Sequence, residues 1–447
     1  MRFISRALIG ATATALTLTL AACGSGEGSP GAANRPADGA TVAAATDISQ
    51  CTVEGTTIDV AFNSLAKEPM EAAVKVIESR FPGLQINAVP SVSTDYGELT
   101  QQIVADIAVG NRPDVIMTGL GQMQFWVDTY NPVPLDTSIL PGTYQTQFLG
   151  AGTARDGVTY LAPAQISAPV MAVNQDLLDA AGAGEAEDIT TYQDLLRVAR
   201  QITGQTGKPS VSIPPSGLPE WYTQGLVQNS GGTLVAEDGT AAFGDATGIA
   251  ALDVWSQLGS NGLEAGIPSA REAVDVFTSV TLPITMITTS NIASITQGVG
   301  EKFNWMPIKL PSVDGVQDRP LPAGGNGYMV LSDDACRAAF SGELIGQILT
   351  PESVMQASGT QRSYIPVDTA ARDELLSSDQ ASPQMKFAWT FESELTQWGG
   401  GFPGEHTAKI YDAIELMNQQ LQTGTDASKT VQNAVETIDA IVLGEGS

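Results

Sequence analysis

Alternating strand and helix patterns constrain the fold of this chain more than any other feature. Short stretches in which apolar and polar residues alternate predict strands, and apolar residues that recur every three or four positions predict helices. The first strand patterns cover 58–62, 84–89 and 114–118, and helical patterns over 70–81 and 99–107 separate them. Strands that alternate with helices of this length indicate a mainly parallel sheet with helices on its faces.

The same alternation continues to the end of the chain. Strand patterns at 164–173, 282–286 and 328–331 are interleaved with helical patterns at 192–202, 291–297, around Cys336, from Pro351 onward, and finally at 410–421 and 431–442. Ser290 is expected to cap the helix at 291–297. The length of about 395 residues that remains after the N-terminal region predicts two or three domains.

The first fifty residues have the pattern of a secretory leader followed by a tether. Arg2 and Arg6 precede the uncharged run 7–22, which is shorter and richer in Thr than a membrane span. Residues 24–50 are rich in Gly, Ala, Ser and Pro without apolar periodicity, which is typical of a flexible linker. We therefore expect a signal peptide at 1–22 and an N-terminal tether at 23–54.

The end of this leader indicates how the chain is held at the cell surface. Leu20-Ala21-Ala22-Cys23 resembles the lipobox of bacterial lipoproteins. The resemblance implies that Cys23 is lipidated and anchors the chain at the extracytoplasmic face of the cell membrane. A signal peptide that is cleaved without lipidation is the alternative.

The charge balance excludes one class of partner. The chain of 447 residues has 21 basic and 49 acidic residues, so its formal net charge is −28. A surface this acidic repels nucleic acid and anionic lipid headgroups. No nucleic-acid partner is therefore expected.

Most catalytic and metal-binding motifs are missing from the sequence. His406 is the one histidine, and there is neither a Cys-x-x-Cys nor a Gly-x-Ser-x-Gly motif. The glycines at 399–404 match Gly-x-Gly-x-x-Gly, but no strand pattern precedes them and Pro403 interrupts the match. We therefore expect no metal and no cofactor. Paired carboxylates remain the one available catalytic machinery.

Two cysteines remain besides Cys23. Cys51 and Cys336 lie in a chain expected to work in an oxidising compartment, where a disulfide between them is plausible. Cys336 also falls on an apolar helical face with Phe340 and Leu344, where a free cysteine packs as a small hydrophobic residue. Both alternatives stay open on the residues alone.

Six segments, in order along the chain, resemble the extracellular solute-binding proteins of ABC importers, above all the branch of maltose-binding and glycerol-3-phosphate-binding proteins. They are Phe81-Pro82-Gly83-Leu84-Gln85-Ile86, the stretch 99–115 with Gly110-Asn111 and Pro113-Asp114-Val115, the stretch 168–176 ending in Asn174-Gln175-Asp176, Gly324-Gly325 before Tyr328, Tyr364-Ile365-Pro366-Val367, and the final helices with Gly424 between them.

The resemblance implies an α/β fold of the two-lobed periplasmic-binding-protein type, with mixed sheets, a hinge and a central cleft. Lobe 1 is expected at 55–165 plus 323–362, and lobe 2 at 166–322 plus 363–447. A small-molecule solute would bind in the cleft, and the closed form would deliver it to a membrane permease. The protein is expected to be a monomer, and both Cys51 and Cys336 would fall in lobe 1, which favours the bridge.

Candidate ligand-binding residues follow from the same layout. A sugar site needs aromatic faces, hydroxyls, amides and carboxylates, and glycines that let backbone N–H groups approach the ligand. The candidates are Asn63, Ser64, Asp95, Tyr96, Gln165, Ser167, Trp221, Ser290, Asn291, Gly324, Gly325, Arg362, Tyr364, Trp398 and Phe402.

Several candidates have a purely structural alternative. Trp221 lies in a segment without apolar periodicity, so a place in the cleft is favoured over the core. Asp95 is better explained as a helix cap than as a ligand contact. Tyr364 fits hinge packing equally well. Glu272 and Asp275 have the spacing of a solvated helix face.

The ligand expected from the resemblance is a carbohydrate. The glycerol-3-phosphate branch has an Arg in the segment matched by 400–404 and a Glu in the position of Gly97, and both are missing here. These differences favour a neutral or cationic sugar, such as a mono- or oligosaccharide or an amino sugar, over glycerol-3-phosphate or a glycerophosphodiester. Arg362 and Arg319 leave the phosphate alternative open. We expect no enzyme activity; the rivals from other classes are a lipid-anchored extracellular glycoside hydrolase and a pure surface-interaction protein.

Overall fold

The computed structural model describes residues 47–316, 319–359, 362–379, 381–391, 394–397, 401–402 and 404–444. The predicted signal peptide, Cys23 and most of the predicted tether lie outside these residues. The strands of the described part are β1 (Thr57–Asn63), β2 (Gln85–Ser91), β3 (Val115–Gly119), β4 (Leu161–Ser167), β5 (Pro169–Asn174), β6 (Val211–Ser212), β7 (Ile284–Thr288), β8 (Trp305–Lys309), β9 (Leu321–Pro322), β10 (Gly324–Val330) and β11 (Leu395–Thr396).

Helices connect these strands and cover the sheets. They are α1 (Lys67–Arg80), α2 (Tyr96–Ala108), α3 (Met123–Tyr130), α4 (Gln175–Ala181), α5 (Tyr192–Thr206), α6 (Pro219–Asn229), α7 (Ala246–Ser260), α8 (Ala270–Thr278), α9 (Ile292–Val299), α10 (Ala335–Ile348), α11 (Pro351–Ser358), α12 (Thr369–Ser377), α13 (Pro383–Trp389), α14 (Thr407–Gln422) and α15 (Ala427–Val442). None of the helices in the described part is long and apolar enough to span a membrane.

The first sheet has the strand order β2-β1-β3-β10-β4. Strand β1 pairs in parallel with β2 and β3, as the alternating pattern predicts. Strand β10 enters from far along the chain and runs antiparallel to both β3 and β4. A mixed sheet results, in which the carboxyl ends of the parallel strands and the start of β10 meet at one edge.

The second sheet has the order β6-β7-β5-β8. Strand β7 pairs in parallel with β6, whereas β5 runs antiparallel to β7 and β8. The alternation alone predicts a mainly parallel sheet, and that prediction is wrong for this half. The mixed sheets implied by the family resemblance are what the structure contains.

Local sequence signals explain where most helices begin. The side chain of Asp95 accepts a hydrogen bond from the backbone N–H of Glu98 and starts α2, the capping role favoured for this residue. Thr191 and Asp194 form a reciprocal capping box at the start of α5. The predicted cap at Ser290 is wrong: Thr288 caps a single 3₁₀ turn over Thr289–Asn291, and α9 follows without a side-chain cap.

The chain passes between the two sheets at several points. Strands β4 and β5 are consecutive and separated by Ala168 alone, whose backbone N–H and C=O both hydrogen bond to Thr289 beside β7. The segment around Ile365 returns to the first sheet, because its N–H donates to the C=O of Ile166 at 2.7 Å. Where the chain crosses between the sheets, residues 166–168, 289–291 and 362–366 lie next to one another.

A disulfide joins the start of the described chain to α10. Cys51 and Cys336 are bonded across a sequence separation of 285 residues. Cys51 is the C-cap residue of a short 3₁₀ turn that packs against the hydrophobic core. The bridge therefore closes a long loop, a kind of link that restricts the unfolded chain.

A buried carboxyl group connects three segments below the second sheet. Glu264 is 8% exposed and accepts hydrogen bonds from the backbone N–H groups of Ile213 and Gly266 and from Nε2 of Gln422, at 3.1, 3.2 and 3.4 Å. Burial raises the pKa of Glu264 to about 8, although the bonds from the two N–H groups act in the opposite direction. The carboxyl group is therefore protonated at neutral pH in the folded protein.

The raised pKa of Glu264 predicts how the free energy of unfolding depends on pH. Between about pH 5 and pH 8 the unfolded chain ionises this carboxyl group and the folded chain does not, so the free energy of unfolding falls as the pH rises. Glu264→Gln cannot ionise and removes this dependence. Urea unfolding of both proteins at pH 5 and pH 8 should show the wild type losing about 3 to 4 kcal/mol relative to the variant.

Glu272→Gln, on the exposed face of α8, is the matched control and should keep the pH dependence of the wild type. Identical pH dependence in wild type and Glu264→Gln would contradict the assignment.

Candidate functional site

A cavity of about 600 Å³ opens between the two sheets. Its lining comes from the edge of the first sheet, from helices α6, α8 and α9 of the second half, and from the segment that carries Arg362 and Tyr364. The carboxyl ends of β1, β2, β4 and β7 all lead into loops or helices of this lining. Ligands of open α/β sheets bind at such strand ends.

A chain of hydrogen bonds fixes the wall that belongs to the first sheet. Nδ2 of Asn326 donates to the hydroxyl of Tyr96 at 2.9 Å and to Oε1 of Gln165 at 2.6 Å. Nε2 of Gln165 donates in turn to the backbone oxygen of Leu65 at 3.2 Å. Because Asn326 is fully buried, these bonds hold Tyr96 and Leu65, which line the cavity, in one arrangement.

Gly324 and Gly325 line the cavity where only glycine fits. A Cβ atom at Gly324 would lie 2.5 Å from Cζ2 of Trp221 and 2.6 Å from Oγ of Ser167. Gly325 has a φ of 98°, and a Cβ atom there would lie 1.8 Å from the backbone oxygen of Gln165. The close approach of backbone, indole ring and serine hydroxyl therefore depends on both glycines.

Trp221 forms the floor on the opposite side. It is 1% exposed, its Nε1 donates to the backbone oxygen of Pro322 at 2.9 Å, and its ring stacks on Tyr222 with centroids 5.6 Å apart. It lines the cavity and packs in the core at once. Trp221 therefore supports Gly324 from below rather than offering an open ring face.

Helices α8 and α9 form the outer wall. Arg271, Val274 and Asp275 share one face of α8. Asn291, Ser294 and Gln297 recur every three residues at the start of α9 and along it. Arg271, Asp275, Ser294 and Gln297 are exposed, so this part of the cavity is open to solvent. The inner part, by contrast, includes the buried side chains of Ser167, Trp221 and Tyr364.

The segment 362–364 joins the two walls. Arg362 and Tyr364 both line the cavity, and Ser363 between them points away from it, as alternation in an extended segment requires. The buried hydroxyl of Ser363 donates to the backbone oxygen of Thr289 at 2.7 Å and accepts from the N–H of Ala293 at 3.0 Å. One side chain therefore fixes the position of Arg362 and Tyr364 relative to the first turn of α9.

The two phenol groups of the cavity remain neutral. Burial raises the pKa of Tyr96 and that of Tyr364, and the nearby guanidinium of Arg362 opposes the rise for both. The hydroxyl of Tyr364 lies next to that of Tyr96. Both groups are hydrogen-bond donors at physiological pH.

The structure brings many of the candidate residues to this one cavity. They are Tyr96, Ser167, Trp221, Ser290, Asn291, Gly324, Gly325, Arg362 and Tyr364. Their role in ligand binding stays a prediction.

Other candidates have structural roles or lie elsewhere. Asn63 is buried and caps a 3₁₀ turn by accepting from the N–H of Leu65, and Asp95 caps α2. Ser64 is exposed outside the cavity lining, and Phe402 is buried in the core. Gln165 lies behind the wall, and Trp398 lies outside the described residues.

Sequence reasoning missed the part of the outer wall that belongs to α8. The sequence indicates no role for Arg271 and predicts a solvated helix face for Asp275. Asp275 is exposed, and it also lines the cavity. Arg271 and Asp275 lie one helical turn apart, a spacing that is common on exposed helix faces and does not by itself indicate a binding site. Only the packing of α8 beside α9 turns this face toward the cavity.

Comparison with known families identifies the class of protein. Residues 72–387 match the model of the bacterial extracellular solute-binding protein family. The chain belongs to this family, whose members serve ABC importers and are not enzymes. A search of curated proteins found no match.

Solved structures share the fold. The chain is similar to the cyclic α-maltosyl-1,6-maltose binding protein of Arthrobacter globiformis, with a TM-score of 0.69, 17% identity and coverage of 87% of this chain and 99% of that one. It is similar to UgpB of Mycobacterium tuberculosis in complex with glycerophosphocholine (TM-score 0.70, 18% identity, 87% and 98% covered). It also resembles maltose-bound MalE of Listeria monocytogenes (0.67, 16%, 88% and 99%). The two-lobed periplasmic-binding-protein fold is thereby confirmed.

The contacts of Ser363 predict its contribution to stability. Ser363→Ala leaves the oxygen of Thr289 and the N–H of Ala293 without their partner inside the protein. The free energy of unfolding should fall by about 1 to 3 kcal/mol. Urea unfolding measures the change.

Ser294→Ala, at an exposed position of α9, is the control and should change stability by less than about 0.5 kcal/mol. Equal effects of the two substitutions would show that Ser363 does not hold the segment.

Proposed function

We propose that this protein captures a carbohydrate-type solute outside the cell and delivers it to an ABC permease in the membrane. The observation that carries the proposal is the cavity itself, to which both sheets and the segment 362–364 contribute side chains. Lobes that share a ligand are drawn together by it, and a permease can recognise the closed form. The lobe boundaries 55–165 plus 323–362 and 166–322 plus 363–447 belong to this proposal.

The chemistry of the inner cavity supports a polyhydroxylated solute. The hydroxyls of Tyr96, Tyr364, Ser167 and Ser290 and the amide of Asn291 can donate to and accept from sugar hydroxyl groups. The glycine backbone allows close approach from the first sheet. Few charges and several convergent polar groups are typical of such pockets.

Glycoside hydrolysis is poorly supported by the same lining. Retaining and inverting mechanisms both need two carboxyl groups, about 5 to 10 Å apart. Among the described residues that line the cavity, Asp275 is the one carboxylate, and it is exposed at the outer wall. Capture without reaction therefore fits the cavity better. A glycerophosphodiester is the second candidate solute, since Arg362 lines the cavity.

The N-terminal sequence completes the proposal. A lipid on Cys23 would hold the monomeric receptor at the extracytoplasmic face of the cell membrane. The linker up to residue 54 would span roughly 30 Å and leave the orientation of the receptor free.

A thermal-unfolding screen tests the function. Neutral mono- and oligosaccharides, amino sugars, acidic sugars and glycerophosphodiesters are added singly to the purified chain. A ligand at one hundred times its Kd should stabilise the folded state by about 2.7 kcal/mol. Chromatography of the same mixtures should show each sugar unchanged.

Turnover of a sugar would favour the hydrolase, and stabilisation by no solute would favour a surface-interaction protein. Either result contradicts the proposal.

Trp221 should be required for affinity. Trp221→Ala removes the ring that packs against Gly324, and the Kd for the best ligand of the screen should rise more than tenfold, or about 1.4 kcal/mol. Isothermal titration calorimetry measures the Kd. Trp221→Phe keeps an aromatic ring and should retain most of the affinity.

Circular dichroism verifies that both Trp221 variants are folded, because truncation of a buried Trp costs about 3 to 5 kcal/mol. An unchanged Kd in folded Trp221→Ala would remove Trp221 from the site.

A further inference from the structure

The charges that line the cavity differ in sign from the protein as a whole. The chain has 21 basic residues against 49 acidic ones. Yet the charged side chains of the described lining are Arg271, Arg362 and Asp275, two cations and one anion. Asp275 is exposed at the outer wall, so the inner cavity has a positive charge at Arg362.

Arg362 has no ion-pair partner within the described part of the chain. It is half-buried, and its guanidinium makes neither a salt bridge nor a hydrogen bond to another described residue. Arg112 and Arg337, by comparison, both pair with carboxylates. Partial burial of an unpaired cation is unfavourable unless a counterion completes the site.

Two phenol hydroxyl groups, which are also hydrogen-bond donors, lie beside this guanidinium. Nδ2 of Asn326 already donates to the oxygen of Tyr96, so the Tyr96 hydroxyl must direct its own hydrogen elsewhere. Tyr364 lies next to it, and the charge of Arg362 acts on both phenols. Of two adjacent hydroxyls, one can donate to the other, which leaves at least one O–H free for a ligand.

We infer that the solute carries an anionic oxygen group, a carboxylate or a phosphate ester, which Arg362 binds together with the free hydroxyl of the Tyr96–Tyr364 pair. The planar guanidinium offers two parallel N–H groups to such an anion, and a phenol O–H adds a third donor. The inference rests on the proposed function and narrows it. It also departs from the neutral or cationic sugar favoured by the sequence.

A matched ligand panel tests the inference. It contains a neutral trisaccharide, a trisaccharide of glucosamine, trigalacturonate, the methyl ester of trigalacturonate and a glycerophosphodiester, each titrated by calorimetry. The tightest ligand should be trigalacturonate or the phosphodiester, and the choice between these two separates a carboxylate from a phosphate ester. Esterification of trigalacturonate should weaken any binding at least tenfold.

Variants of Arg362 give the second arm. Arg362→Gln should raise the Kd for the anionic ligand at least tenfold. Arg362→Lys keeps the charge without the two parallel N–H groups of the guanidinium, and should raise the Kd less. Arg319→Gln is the control, since Arg319 is exposed next to the turn at Gly231 and does not line the cavity. It should leave the Kd within twofold.

The outcomes distinguish this inference from the proposed function. A neutral or amino trisaccharide that binds most tightly, or an anionic ligand that is insensitive to Arg362→Gln, overturns the inference and leaves the function in place. Binding by no member of the panel overturns the inference and counts against the function as well.

Discussion

The position of the segment 362–366 is the constraint on which the cavity depends. Ser363 attaches it to the 3₁₀ turn before α9 and to the first turn of α9 through two buried hydrogen bonds, and Ile365 attaches it to β4 through a third. The first two bonds lead to residues beside the second sheet, and the third leads to the first sheet. A change in the relative position of the sheets must therefore move this segment or break one of these bonds. Arg362 and Tyr364 lie on the other face of the segment, so any such movement would change their position in the cavity.

Close packing at the start of β10 sets the depth of the cavity. Gly324 lies against Trp221 and Ser167 with no room for a Cβ atom, and Gly325 lies against the backbone of Gln165. Trp221 is held in turn by its bond to Pro322. The first sheet and α6 are therefore in contact beneath the cavity, while α8 and α9 border an open part above it.

The elements of regular periodicity could be predicted from the sequence, and the exceptions have physical reasons. Strands β1 to β3 and helices α1 and α2 lie within a few residues of their predicted positions. Helix α6 was not predicted, because all its residues from Glu220 to Asn229 except Gln228 are buried and a helix buried on every side has no apolar stripe. The residues of the candidate site also fall into those that the sequence could predict and those that it could not.

Residues at strand ends or in the segments that follow them, such as Ser167 and Tyr96, were predictable because topology brings strand ends together. Arg271 and Asp275 were not, since their place in the lining depends on how α8 packs. Asn63 and Gln165 lie outside the cavity lining, because polar residues at strand ends also cap turns and hold neighbouring side chains.

A crystal structure of the chain with its tightest-binding solute tests the central claim most directly. The account predicts density for the solute between Gly325 and Tyr364 on one side and Ser290 and Asn291 on the other. Solute bound elsewhere, for example in the groove lined by Asn87 of β2, with the cavity empty, would contradict it.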